Sequence, residues 1–235
     1  MEDRKFDRPV TMEDHRNLSR VHAEKKMTAV SDKLGFPNGD QFEADLTEIL
    51  QGDAEASGEV VVIALSDNDK FDHINKDFGR EEGDRVLIET GKHIGKSLPE
   101  GAKVYRIGGD EFGMIFRGTA EREEIFLLLN EMKTSYNVAT PDGERQTMTI
   151  GMATAFQDAN RTAELIRKAD SALFRAKVAG GNRVAMAREE KMVPKTSHYT
   201  QDQLQRLAKA AKKEGVGEAI LLREALDMLL KKYDV

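Results

Sequence analysis

Apolar positions along this chain alternate between strand-like runs and helix-like spacing. Glu59-Val60-Val61-Val62-Ile63-Ala64-Leu65 is the most strand-like stretch, and its continuous β-branched residues predict a central strand buried on both faces. It stops at Ser66-Asp67-Asn68-Asp69. Phe71, Ile74 and Phe78 then recur at helical spacing up to Gly79, and a longer helix over 83–97 carries Val86, Leu87, Ile88 and Ile94. Ahead of the strand, Asp40 is positioned to cap a helix through Gln51, with Phe42, Leu46 and Leu50 on one face. Lys103-Val104-Tyr105 and Gly113-Met114-Ile115-Phe116 flank Arg106-Ile107-Gly108-Gly109-Asp110-Glu111-Phe112, a hairpin whose glycines are expected to supply positive φ. Thr119 is expected to cap a helix through Tyr136. A strand over 146–156, broken by Gly151, precedes a helix over 163–179 and a short strand over 182–186. Helices and strands alternate, but the hairpin makes one pair antiparallel, so the reading is α+β with a mixed sheet covered by helices.

The ends have other patterns. Residues 12–30 carry sparse apolar anchors (Leu18, Val21, Val30) and read as a solvent-exposed leading helix. Lys191 to Ser197 reads as a linker. Thr200 then caps a helix over 201–214, stopped by Gly215, and a second helix spans 218–232. The expected organisation is a helical lead over 1–30, a main domain over 31–189 and a small helical module over 190–235.

Composition narrows the chemistry. The 235 residues are 39% hydrophobic and 33% charged, with a net charge of -6, which gives no global reason to expect nucleic-acid or membrane binding. From Lys191 onward, however, nine basic residues stand against six acidic ones, so this end is +3 while the rest is -9. The absence of cysteine excludes disulfides and thiolate-bound zinc. No apolar stretch approaches the roughly 20 residues of a membrane span, and the charged start Met1-Glu2-Asp3-Arg4-Lys5 is unlike a secretion signal, so a cytoplasmic protein without membrane contact is expected.

The acidic turn is the candidate for chemistry. The strand ending at Leu65 puts Asp67 and Asp69 at a carboxyl end, where open sheets bind ligands. If that strand neighbours the hairpin, Asp67 and Asp110 converge. Two carboxylates with backbone carbonyls suit Mg²⁺, a hard cation that shares its sphere with substrate phosphates. Taken singly, each acidic turn reads first as a solvated turn.

Residues 31–187 resemble the GGDEF domain of diguanylate cyclases. The signature is Gly108-Gly109-Asp110-Glu111-Phe112. Asp67-Asn68-Asp69-Lys70-Phe71-Asp72-His73-Ile74-Asn75, with Gly79, Gly83 and Asp84, resembles a second family motif; Thr149-Ile150-Gly151 resembles a third. Ala169-Asp170-Ser171-Ala172-Leu173-Phe174-Arg175-Ala176-Lys177, with Gly180 and Asn182, resembles a fourth, and Asp32 to Gly39 a fifth, one residue short. The resemblance implies a palm-like, ferredoxin-like core with a mostly antiparallel sheet, and a Mg²⁺- or Mn²⁺-dependent dimer that makes cyclic di-GMP from GTP. Asp67, Asn68 and Asp110 would hold the metal, and Glu111 would assist it or deprotonate the ribose 3′-hydroxyl. Asn75 and Asp84 would read guanine. Phe71, Gly108, Gly109 and Lys177 would complete the substrate site, Lys177 against the phosphates. Three positions depart from the family: Asp72 stands in place of lysine, Arg80 in place of histidine, and Gly181 in place of arginine. The inhibitory arginine and aspartate found upstream of the turn in relatives would fall at Pro99 and Ala102, so product inhibition there is not expected. A nucleotide sensor with weak or no turnover is the alternative function.

Tyr199 to Ala208 and Gly215 to Leu226 resemble a ribbon-helix-helix module, which implies a homodimer and DNA contact through a strand over 195–199, with Lys195, Ser197 and Tyr199 facing outward. An amphipathic helical pair used only for dimerisation is the alternative.

Overall fold

The computed structural model describes residues 30–188, 195–214 and 217–233. Most of the expected leading helix, and the Gly215 stop, lie outside these. The chain divides into two compact units at Glu189/Glu190.

The first unit is a five-stranded sheet between two helical layers. In chain order the elements are α1 (Gly39–Gln51), α2 (Ala54–Ser57), β1 (Val60–Asn68), α3 (Phe71–Asp77), α4 (Arg80–Ser97), β2 (Lys103–Arg106), β3 (Glu111–Gly118), α5 (Arg122–Ser135), β4 (Met148–Thr154), α6 (Thr162–Val178) and β5 (Val184–Met186). The strand order is β2-β3-β1-β4-β5, with every pair antiparallel except β4 and β5. The expected α+β class with a mixed, mostly antiparallel sheet is what forms.

Side chains of β1 alternate between two cores, as strand geometry requires. Val62 and Ala64 pack with Val86, Leu87, Ile94, Leu129 and Met132 under α4 and α5. Val61, Ile63 and Leu65 pack with Phe42, Leu46, Leu165, Ala169 and Leu173 under α1 and α6. The same alternation orients the polar end of the strand. Asp67 points to the α6 face, whereas Ser66 and Asn68 point to the α4–α5 face.

Several boundaries differ from the sequence reading for local reasons. β1 runs to Asn68 because β3 and β4 pair with it through Asp67 and Asn68. Asn38, rather than Asp40, caps α1 by accepting from the Gln41 N–H at 3.0 Å. Glu121 and Glu124 form a capping box that starts α5 at Arg122, beyond Thr119. α4 begins at Arg80, after Gly79 at φ 85°. Gly151 does not break β4. A Cβ there would overlap the Ala169 carbonyl oxygen and the Leu173 N–H nitrogen, and would lie 2.7 Å from Leu173 Cβ, so the residue is glycine because α6 lies directly on the strand.

The second unit contains α7 (Gln201–Glu214) and α8 (Glu218–Lys232). Thr200 caps α7 as expected: its Oγ1 accepts from the Gln203 N–H at 3.2 Å, and Gln203 Oε1 accepts from the Thr200 N–H at 2.9 Å. Leu204, Leu226, Met228, Leu229 and Tyr233 are exposed. Residues 195–199 form no strand within the single chain, where the sequence pattern suggests a ribbon. No helix among the described residues is long and apolar enough to cross a membrane.

α1 is tied to β2 by one carboxylate. Asp45 Oδ2 accepts from the Tyr105 hydroxyl at 2.6 Å and the Lys103 ammonium at 2.9 Å, and Oδ1 accepts from Gln41 Nε2 at 2.6 Å. The Tyr105 hydrogen bond, then those of Gln41 and Lys103, hold the Asp45 carboxyl at about 2, below its ordinary 3.8. A depressed folded-state value stabilises the fold above the ordinary carboxylate pKa, and that stability is lost as pH falls through the folded value. Tyr105→Phe is therefore expected to remove about 1 kcal/mol at neutral pH and to flatten the fall in stability between pH 4 and 2. Urea midpoints measured across that range check this; an unchanged acid profile would refute it.

Candidate functional site

Antiparallel pairing of β1 with β3 sets Asp67 directly opposite Glu111, at the end of the sheet where the Gly108-Gly109-Asp110 turn crosses. The turn is closed by the Ile107 and Gly108 N–H groups donating to the Glu111 carbonyl at 3.1 and 3.3 Å. Neither Gly108 nor Gly109 adopts the positive φ expected of them. Gly108 is required for room, because a Cβ would lie 2.6 Å from Glu111 Oε2. Nothing within 4 Å would meet a Cβ at Gly109, so that face of the turn is open to an approaching molecule.

Asp67 is 7% exposed. Burial, then the neighbouring Asp110 charge, pushes its carboxyl up to about 7, against the opposing pull of Lys177. Asp110 is also raised, chiefly by burial, with Asp72 adding repulsion and Lys177 and Arg106 opposing it. Lys177, near the end of α6, places its ammonium 2.5 Å from Asp67 Oδ2. The site thus concentrates desolvated carboxylates beyond what one ammonium neutralises, an arrangement that favours a cation. Among the described residues no group of three or more His, Asp or Glu side chains forms a ready metal cage. Mg²⁺ needs no such cage, since it is held by one or two carboxylates and completed by water and phosphate. The Asn68 side chain is turned away: its Oδ1 accepts from Thr90 and Tyr136 hydroxyls, each at 3.3 Å, so it is not available to the site.

The guanine-reading candidates come together on the neighbouring helices. Gly83 lets α4 close on α3, with Asn75 Oδ1 and the Phe71 ring packed where a Cβ would stand, and Asp84 comes immediately after it. Asp84 is exposed and Asn75 half-buried. Phe71 is buried at the start of α3 and supports this corner from beneath.

One group was not singled out from the sequence. Arg106 is 2% exposed; it donates to the Gly109 carbonyl at 2.7 Å and feels the charges of both Asp84 and Asp110, joining the guanine end to the metal end. Its position just before the turn was the available signal. Asp69, expected beside Asp67 at the ligand-binding end of the strand, does not enter the site. Its carboxylate accepts from Thr147 Oγ1 (2.6 Å), Thr149 Oγ1 (2.5 Å) and the Asn182 N–H (3.0 Å), fastening the end of β1 to β4 and the α6–β5 loop. Lys195, Ser197 and Tyr199 are exposed in the second unit.

The sequence profile described as "Diguanylate cyclase, GGDEF domain" matches residues 29–183, and one described as "Ribbon-helix-helix domain" matches 192–234. The diguanylate cyclase DgcN of Escherichia coli is 28% identical over 165 residues, 68% of this chain and 40% of its own length. The chain spans between a third and two fifths of the length of such curated relatives. The crystallised GGDEF domain of TpbB from Pseudomonas aeruginosa superposes with a TM-score of 0.62 at 29% identity, covering 66% of this chain and 92% of that one. The GGDEF domain of DgcB from Caulobacter crescentus, solved in complex with c-di-GMP, gives 0.57 at 27% identity, covering 64% and 90%.

The Asp69 hub generates a prediction about stability. Asp69→Ala leaves two threonine hydroxyls and one N–H without their charged acceptor and is expected to cost about 2–4 kcal/mol. Denaturant titration measures it, and a loss below about 0.5 kcal/mol would show that the hub does not hold the end of β1.

Proposed function

The chain belongs to the diguanylate cyclase GGDEF-domain family, and from that premise we propose that it condenses two GTP molecules into cyclic di-GMP and two pyrophosphates, working as a Mg²⁺- or Mn²⁺-dependent dimer. The supporting observation is the β1–β3 register, which gathers Asp67, Asp110 and Glu111 around one open turn beside Lys177. Asp67, Asp110 and the Asn68 carbonyl would hold the cation. When bound, it would supply charge stabilisation for the triphosphate and the developing transition state.

The remaining roles belong to this chain's residues. Asn75 and Asp84 orient the base, the carboxylate accepting from the ring N–H and amino group. Gly109 leaves room for the nucleotide against the turn. Lys177 leaves Asp67 and neutralises the β- and γ-phosphates. Glu111 accepts the proton of the ribose 3′-hydroxyl as that oxygen bonds to the α-phosphorus of the facing GTP, and the bond from that phosphorus to the bridging oxygen breaks to release pyrophosphate. Positioning and electrostatics carry most of such a phosphoryl transfer. Each domain holds one GTP, so two must face each other. The exposed apolar side chains of α7 and α8 supply a surface for that association.

Purified protein with GTP and Mg²⁺ is expected to yield cyclic di-GMP, quantified by chromatography, with Glu111→Gln slower by about 10²–10⁴-fold and Asp110→Asn similarly impaired. Absence of product at high protein concentration would leave the second reading, a nucleotide sensor without turnover. The observation favouring that reading is Asp72, whose charge bears on Asp110 where relatives carry a lysine.

The helical module is further proposed to dimerise the chain and to place Lys195, Ser197 and Tyr199 on duplex DNA, with the two ribbons forming only when copies pair. Retardation of duplex DNA that weakens steeply with salt, and that is lost on deleting residues 190–235, is the expected result. A stable dimer that shifts no DNA would confine the module to association.

A further inference from the structure

Behind the Asp69 hub lies a cavity of about 160 Å³, between the end of α5 and the chain leading into β4. Its wall includes Lys133, Arg145, Gln146, Thr147 and Asn182, and no carboxylate. Elsewhere in this unit Arg85 pairs with Glu82, Lys92 with Glu89, Lys103 with Asp45, and Arg117 with Asp53 and Glu59. Among the described residues Lys133 and Arg145 have no acidic partner.

Their donors are only partly spent. Arg145 gives Nε to the Tyr136 carbonyl at 2.7 Å and Nη2 to the carbonyls of Thr134 and Tyr136, which anchors its guanidinium on the last turn of α5 and leaves the Nη1 N–H groups. Lys133 gives one N–H to Asn182 Oδ1 at 3.1 Å, leaving two. Gln146, 7% exposed, spends its amide N–H groups on the main-chain carbonyls of Asp69 and Thr147, which fixes the floor. Two cations with donors to spare, Lys133 half-buried and Arg145 exposed, thus face a recess whose wall carries no carboxylate, a setting suited to an anion.

We infer that this cavity is a binding site for a small phosphoryl oxyanion, orthophosphate or pyrophosphate, held by Lys133 and Arg145. Size sets the class: pockets for drug-sized ligands begin at about 300 Å³, so this one, at about 160 Å³, suits a phosphate or diphosphate group. None of the wall residues named belongs to the proposed GTP site, so the inference stands whether or not the chain turns over GTP. Occupancy is sensed nearby, because Thr147 Oγ1 and the Asn182 N–H that border the cavity also hold Asp69 Oδ2, two residues beyond Asp67.

The test is amide NMR on the full chain, free of nucleotide and metal, titrated at low ionic strength with sodium phosphate and, separately, with sodium pyrophosphate. Saturable shifts at the Thr147 and Asn182 amides are expected, weakened at least about tenfold by Lys133→Met and retained by Lys133→Arg. Whichever anion saturates at the lower concentration identifies the source. Shifts insensitive to Lys133→Met, or shifts abolished by Lys177→Met and so arising from the GTP site, would overturn the inference, as would the absence of saturation.

Discussion

The rest of the site depends on the burial of like charge at one strand register. Asp67 faces the α6 side of the sheet only because β1 pairs with β3 so that Asp67 meets Glu111. A slip of one residue would send its carboxylate into the apolar layer under α4 and α5. Held where they are, Asp67 and Asp110 are desolvated together and both are pushed toward protonation. Such an arrangement is unfavourable in isolation, so the surrounding structure has to over-determine it. It does so with three tethers: Arg106 beneath the turn, Lys177 on Asp67, and the Asp69 hub that fixes the end of β1 to β4 and the α6–β5 loop.

Packing delivers the second tether. Lys177 reaches Asp67 because α6 lies almost in contact with β4, and that approach is set by Gly151, where any side chain would meet the helix backbone. A glycine in the middle of a strand weakens it intrinsically. Here the loss is offset by a helix brought close enough to carry an ammonium to the edge of the sheet. Gly83 plays the same part for α4, drawing Asp84 up to Asn75. The metal end and the base end of the proposed site are therefore both products of helix approach as much as of loop sequence.

The hydrophobic pattern contained the sheet, its flanking helices and the alternation that aims Asp67, because burial on two faces leaves a strong periodic trace in residues 60–65. Motif spacing contained the pairing of Asp67 with the acidic turn. What was hidden depends on tertiary neighbours. Gly151 looks like a break in a strand until α6 is seen against it. Gly108 and Gly109 suggest positive φ and adopt none. Asn38 and Glu121 cap helices in place of Asp40 and Thr119, since which of several polar residues caps a helix depends on where the preceding chain is anchored. Asp69 and Asp67 are indistinguishable by composition, and only strand alternation and the Thr147–Thr149 hydroxyls separate a structural carboxylate from a site carboxylate. Nothing in the pattern marks Arg106 for burial, yet it is buried beneath the turn.

The departures from the family on the phosphate side have a common physical consequence. Gly181 sits at φ +69°, and a Cβ there would lie 2.9 Å from Asp69 Oδ1 and 3.2 Å from Thr149 Oγ1. An arginine at this position would be strained by its backbone and crowded by the hub, so glycine here is the outcome of local geometry and not a free substitution. Asp72 adds a further negative charge that Asp110 feels. Lys177 is then the ammonium at hand, and it is already committed to Asp67. On the proposed reading, a triphosphate would meet several carboxylates and an ammonium already in use, so cations arriving with it would have to match its charge. A metal held by Asp67 and Asp110 would then serve for admission as well as for charge stabilisation, and Lys177 would be released from Asp67 as the carboxylate pair filled.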